Sequence, residues 1–230
     1  MAYPNTFQNR TRLQAKEELL EYTGGVSRPE ALDRAALCWD AAVREFNTDA
    51  WRFNIRTQDI TLDGTTVVGG VTGVQDYDLA DKFRTPVRCL LLDSNSVTRR
   101  RVVWLPYNEW VMLRPDQVTG SNVPSFYTAR NVHETGKVSF DPRPLGTLTY
   151  PKARMIYATW IDIQTTDASA LDVPPDVDEA IFQLAVAKIL AKNKRFEESQ
   201  VAMEAAARLR FIVQRNHRIF GEDTQIGANG

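Results

Sequence analysis

FDPRPLGTLTYPKARMIYATWI, residues 140–161, sets three prolines around a Gly-Thr-Leu-Thr-Tyr run and follows them with an apolar, β-branched stretch. The segment reads as a binding loop, a proline-rich ligand or the corner of a sheet. Pro142 and Pro144 have no N–H to give to a ladder, so they mark the edge where a chain leaves one sheet before a central strand, predicted over Arg154–Ile163. On this reading the segment is scaffold, and what flanks it decides what it supports.

Upstream, from Trp51, short runs rich in β-branched and aromatic residues alternate with Gly, Pro, Asp and Asn, the pattern of antiparallel strands. DITLDGTTVV reads as a hairpin about a primed turn at Asp63-Gly64. YDLA, VRCLLLD, RRVVWLP, SFYTAR and KVSF are further predicted strands, and YNEWVMLRPDQ is a helical turn or a loop. Before Trp51 the period is helical. A first helix is predicted over Thr6–Glu21, capped by Asn5 or Thr6 and stopped by Gly24-Gly25. A second starts at a Ser27-x-x-Glu30 capping box, presents Leu32, Ala35, Ala36, Trp39, Ala42, Val43 and Phe46, and closes at Asn47.

Downstream, after Thr165, the helical period returns. Asp176, Asp178 and Glu179 sit where the positive end of a helix dipole belongs, and the residues after them are apolar nearly all round, as in a buried helix. A last helix carries a stripe of Val201, Ala202, Ala205, Ala206, Leu209, Ile212 and Val213. HRIFGEDTQIGANG loses the period and is expected to be mobile alone. The fold class is therefore α+β: a helical bundle from residues 1–50 and 166–230 with a flexible C-terminal tail, and an inserted antiparallel β-sandwich or partial barrel over 51–165.

The 230 residues are 43% hydrophobic and 25% charged with a formal net charge of -1. That balance fits a globular chain and argues against a protein whose main work is neutralising nucleic-acid phosphates. Cys38 and Cys89 have no metal-ligand spacing and read as reduced core residues. No signal-like start and no membrane-length apolar run is present, so a chain made in the cytoplasm without a membrane partner is expected.

Reactive chemistry is scarce. His133 and His217 are far apart, with His133 read as an exposed turn residue, and no nucleophile elbow, phosphate loop or zinc-protease motif occurs. Asp76 with Asp78, and Glu197 with Glu198, read as solvated acids rather than an acid–base pair. No catalytic residue, cofactor or metal is assigned, and an enzyme is not expected. Arg99, Arg100 and Arg101 form a candidate charged interface, or a water-facing strand end. Arg208, Arg210, Arg215 and Arg218 either complement a helix end or dock an acidic surface. Trp104, Tyr107 and Trp110 suggest an alternative function, stacking platforms of a carbohydrate-binding module, against a plainer role in core or interface.

Four segments in order, LCWDAAVREFNTDAWRFN, YDLADKFRTPVRCLLLD, GSNVPSFYTAR and VSFDPRPLGTLTYPKARMIYATWI, resemble the head-to-tail adaptor proteins of tailed bacteriophages, over nearly the whole chain. Ala80 stands where that family's Leu-Pro puts proline, and Ser121-Asn122-Val123 lengthen its Gly-to-Pro step. The resemblance implies a structural virion protein at the head–tail junction, with no cofactor, forming a ring of its own copies, a dodecamer, beneath the portal protein. Its helices would lie side by side, its β insertion would face the next component (stopper, nozzle or tail tube), and genomic DNA would pass through the lumen without sequence-specific binding. Arg215, Arg218, Ile219, Phe220 and Ile226 are then the candidate portal-docking residues, in a tail that orders on binding.

Overall fold

The computed structural model describes residues 9–24, 28–113, 120–132 and 135–217. The chain separates into two compact units, one of Asn54–Trp160 and one of the described residues up to Phe53 and from Ile161 onward.

The helical unit holds α1 (Arg12–Thr23), α2 (Pro29–Phe46), α4 (Pro175–Lys192) and α5 (Phe196–His217). Helix α1 starts later than the apolar pattern implied. Its N-cap is Thr11, whose hydroxyl accepts from Gln14 N–H while the Gln14 side chain accepts from Thr11 N–H, a capping box legible as T-x-x-Q. Asn5 and Thr6 lie outside the described residues, as does Ser27. Helix α2 takes Arg28 as its N-cap, without a side-chain cap bond, and Pro29 fills the first helical position. Of the predicted apolar face of α2, all but the half-buried Leu32 are buried, and Cys38 joins them. Helix α4 is buried all round, from Val177 and Ala180 to Ile189 and Leu190, so it runs through the middle of one apolar core shared by the four helices.

The stripe assigned to α5 is partly corrected. Ala202, Ala206 and Val213 are buried, Leu209 is half-buried, and Val201 and Ile212 face outward. Trp51, Ile161 and Ile163, read from the sequence as part of the β region, pack into the helical core. The returning chain is fastened there by Asn47, the C-cap of α2. Its amide donates to Ile161 O at 2.9 Å and accepts from Ile161 N–H at 2.8 Å.

The other unit follows a short 3-10 turn with β1 (Ile55–Thr61), β2 (Val67–Val68), β3 (Val71–Thr72), β4 (Asp76–Asp78), β5 (Thr85–Leu92) and β6 (Thr98–Trp104). After these come α3 (Tyr107–Leu113), β7 (Gly120–Ser121), β8 (Phe126–Val132), β9 (Thr135–Asp141), β10 (Arg143–Pro144) and β11 (Lys152–Ala158). Seven strands form one sheet in the order β1-β11-β5-β6-β8-β9-β4. Its two ends approach through one side chain: Gln58 of β1 donates to Asp78 O and accepts from Ala80 N–H, so the sheet is nearly closed. This is a partial barrel rather than a sandwich, and it is mixed rather than antiparallel. Strands β6 and β8 run parallel because α3 lies in the connection between them and returns the chain in the same direction.

The opening stretch keeps its predicted role with shifted limits. Strand β9 ends at Asp141, the Asp141–Pro142 peptide is cis, and Arg143–Pro144 leave the main sheet to pair with Gly120–Ser121. The chain then re-enters as β11, between β1 and β5 in the sheet. That strand ends at Ala158, not Ile163, and alternates Ala153, Met155 and Tyr157 into the core. The hairpin placed at Asp63-Gly64 is also corrected, because β1 pairs with β11. The tight turn is Gly69-Gly70, both at positive φ, between β2 and β3. Asp63 instead gathers the N–H and hydroxyl groups of Thr65 and Thr66, which hold its carboxyl well below the usual range.

Candidate interaction surfaces

The three consecutive arginines stand on β6. Arg99 and Arg100 are exposed and Arg101 is half-buried. Asp93, at the start of the β5–β6 turn, accepts from Val97 N–H at 2.9 Å and from Arg99 Nε at 2.9 Å, and these bonds lower its pKa, Val97 contributing most. Arg99 therefore braces its own turn.

The aromatic trio does not form a platform. Trp110 is buried at 5% exposure, whereas Trp104 and Tyr107 remain 40% and 45% exposed. One face of Tyr107 is covered by the Arg130 guanidinium, 4.5 Å from the ring centroid. Stacking of a sugar needs an open ring face, which the buried Trp110 lacks, so the three residues do not act as one platform.

Three of the four acids singled out in the sequence have partners. Asp76 accepts from Ser139 Oγ, Asp78 pairs with Lys137 at 3.1 Å, and Glu198 pairs with Arg195. His133 lies outside the described residues. His217, in the last turn of α5, places Nε2 3.0 Å from Asp176 Oδ2 and sets its ring edge-on to Phe53. Among the described residues no group of three or more His, Cys, Asp or Glu is placed to hold a metal ion.

The N-terminal end of α4 is a charged junction that the sequence did not reveal. Arg10 bonds Glu18, Asp178 and Glu179, each at 2.7 Å, and lies over the Phe182 ring. Burial opposes its charge, but the three carboxylates outweigh that and raise its pKa. Asn9 donates to Leu171 O and Val173 O, and Arg12 pairs with Asp40. These partners lie up to 169 residues apart, so no local motif signals them.

Helix α5 presents an outward face that carries exposed apolar residues. Glu197, Val201, Glu204, Arg208, Phe211 and Arg215 recur at three and four residues and share the side opposite Ala202, Ala206 and Val213. Val201 is 69% exposed, Phe211 68%, and the bordering Ile212 49%. Arg215 is exposed on this stripe, whereas Arg210 turns back to Asp49 at 2.9 Å. Arg218, Ile219, Phe220 and Ile226 lie outside the described residues.

A family model described as SU10 adaptor protein matches residues 10–224. The chain belongs to that family. It is a head-to-tail adaptor protein of a tailed bacteriophage, as the four ordered segments suggested. No curated protein matches it. The adaptor has no helix long and apolar enough to cross a membrane among its described residues. The match spans helices and sheet alike, so the two units are parts of one adaptor architecture.

Proposed function

We propose that this adaptor builds a closed ring, a dodecamer, beneath the portal, joins capsid to tail and extends the DNA channel, without catalytic activity. The observation that carries this reading is the outer face of α5: valine, phenylalanine and isoleucine lie exposed on a helix whose other side is anchored in the core. A ring needs a heterologous contact, in which one face of each copy meets a different face of the next. A mixed stripe of Val201, Phe211 and Ile212 among Glu204, Arg208 and Arg215 suits such a contact, with apolar burial for affinity and charges for register.

Two sequence features support the placement. A net charge of -1 suits a conduit through which DNA slides, because a strongly basic lining would hold phosphates. The stretch from Arg215 to Gly230 carries Arg218, Ile219, Phe220 and Ile226, an apolar and basic set suited to docking in a groove of the portal. The β unit would then face the next component of the neck. The test is a truncation after His217, examined by sedimentation and electron microscopy with purified portal rings. The expected product is a folded chain that no longer joins the portal; undiminished binding would refute the docking role.

A further inference from the structure

The helical unit contains a cleft of about 270 Å³ with no part in the contacts described so far. Leu20, Ala31 and Ile189 form its apolar wall, and the exposed Arg28 and Arg34 border it. Thr23 and Asn193 complete the lining at the C-terminal ends of α1 and α4.

Among the described residues neither rim guanidinium meets a carboxylate. Arg34 Nη1 reaches Asn193 Oδ1 at 3.4 Å, a long contact with a neutral group. Elsewhere in the unit Arg10, Arg12 and Arg195 each bind carboxylates of their own chain. Helix-end carbonyls beside the cleft would repel an anion, and several of them already accept hydrogen bonds within the chain. Leu20 O accepts from Gly24 N–H and Thr23 Oγ1, Tyr22 O from Arg195, and Ile189 O from Asn193 N–H. What remains is an apolar recess with two cationic groups free to take carboxylates.

We infer that this cleft receives an apolar side chain carried on an acidic segment of a partner protein. The recess has room for a leucine or phenylalanine side chain, and apolar anchors in pockets carry most of the affinity of such contacts. The arginines select for flanking carboxylates, which they hold by two parallel N–H···O bonds. The inference concerns a site on the single chain and stands whether or not the ring reading holds.

The test uses the full-length chain and a fluorescein-labelled peptide, Glu-Asp-Leu-Phe-Asp-Glu, read by fluorescence anisotropy. Two control peptides replace the acids by Lys and Arg, or Leu-Phe by Ser-Ser. Saturable binding of the acidic peptide alone is expected. Arg28→Glu and Arg34→Glu, both at exposed positions, should each weaken it by about tenfold or more. Ala31→Leu, which fills the recess, should abolish binding while thermal unfolding shows the fold retained. No saturable binding, equal binding of the basic peptide, or indifference to all three substitutions overturns the inference. Displacement by inorganic phosphate alone would reassign the site to small anions. Loss of self-association in Arg28→Glu would reassign it to a contact between copies.

Discussion

Replacing both Val201 and Phe211 by glutamate tests the outer face of α5 most directly. The two side chains are 69% and 68% exposed, so charging them removes little from the folded chain. A neighbouring copy that covered them would bury roughly two-thirds of each. At about 25 cal/mol per Å², and 1.5–3 kcal/mol for a fully buried side chain, their joint burial contributes roughly 2–4 kcal/mol per contact. With 1.4 kcal/mol for each factor of ten, every subunit contact should weaken by about thirtyfold to a thousandfold, before the cost of burying two carboxylates is added. Each subunit of a ring makes two such contacts, so closed rings should vanish at concentrations where the parent forms them. Sedimentation velocity and negative-stain microscopy, with circular dichroism as the check on folding, read this out. Rings persisting at the parent's concentration in a folded Val201→Glu/Phe211→Glu chain would refute the assignment of this face.

Trp39→Phe should cost about 2–4 kcal/mol in urea unfolding, because the buried indole donates to Gln164 Oε1 at 2.6 Å and its loss leaves that oxygen unpaired beside a small cavity. A cost below about 1 kcal/mol would mean that the bond is replaced. Gly73→Ala places a Cβ 1.9 Å from Pro144 O at a φ of +88°, so this variant should lose about 2 kcal/mol or more and unfold at lower temperature. An unchanged midpoint would refute the close approach. Burial pushes Tyr77 up to about 12, against a slight lowering by Asp63 N–H, so its phenol stays neutral in the fold when the unfolded chain ionises near 10. That stability is fully present below pH 10 and is lost as the pH rises from 10 through 12. Tyr77→Phe should show a smaller loss of melting temperature over this range, and parallel melting curves for the two proteins would contradict the sign.

Local chemistry made much of this adaptor legible. The repeat of apolar residues at three and four along Ala35–Phe46 and the alternation along Ala153–Tyr157 each bury one side of an element, and the structure buries those sides. The missed start of α1 was also local, since Thr11 and Gln14 carry a capping box that the sparse apolar pattern obscured. Other errors came from partners. Asp63-Gly64 looks like a hairpin turn until β1 finds β11, which lies some ninety residues further along the chain, and a dipeptide carries no record of so distant a partner.

The amino-acid sequence alone determined the existence of α2, α4, α5 and the strands of the main sheet, that a sheet interrupts a helical unit, and a resemblance to the family. The helices and strands follow from side-chain periodicity and capping, which act over a few residues, whereas the family rests on the likeness of four ordered segments and on the family-model match. Only the tertiary structure decided that β6 and β8 run parallel, that Gln58 brings the sheet's ends together, and that Val201 and Phe211 face outward. It alone showed Arg10 gripped by three carboxylates while, among the described residues, Arg28 and Arg34 meet none. Those outcomes depend on which surfaces meet across long separations, where packing and desolvation choose among pairings that local propensity leaves equivalent.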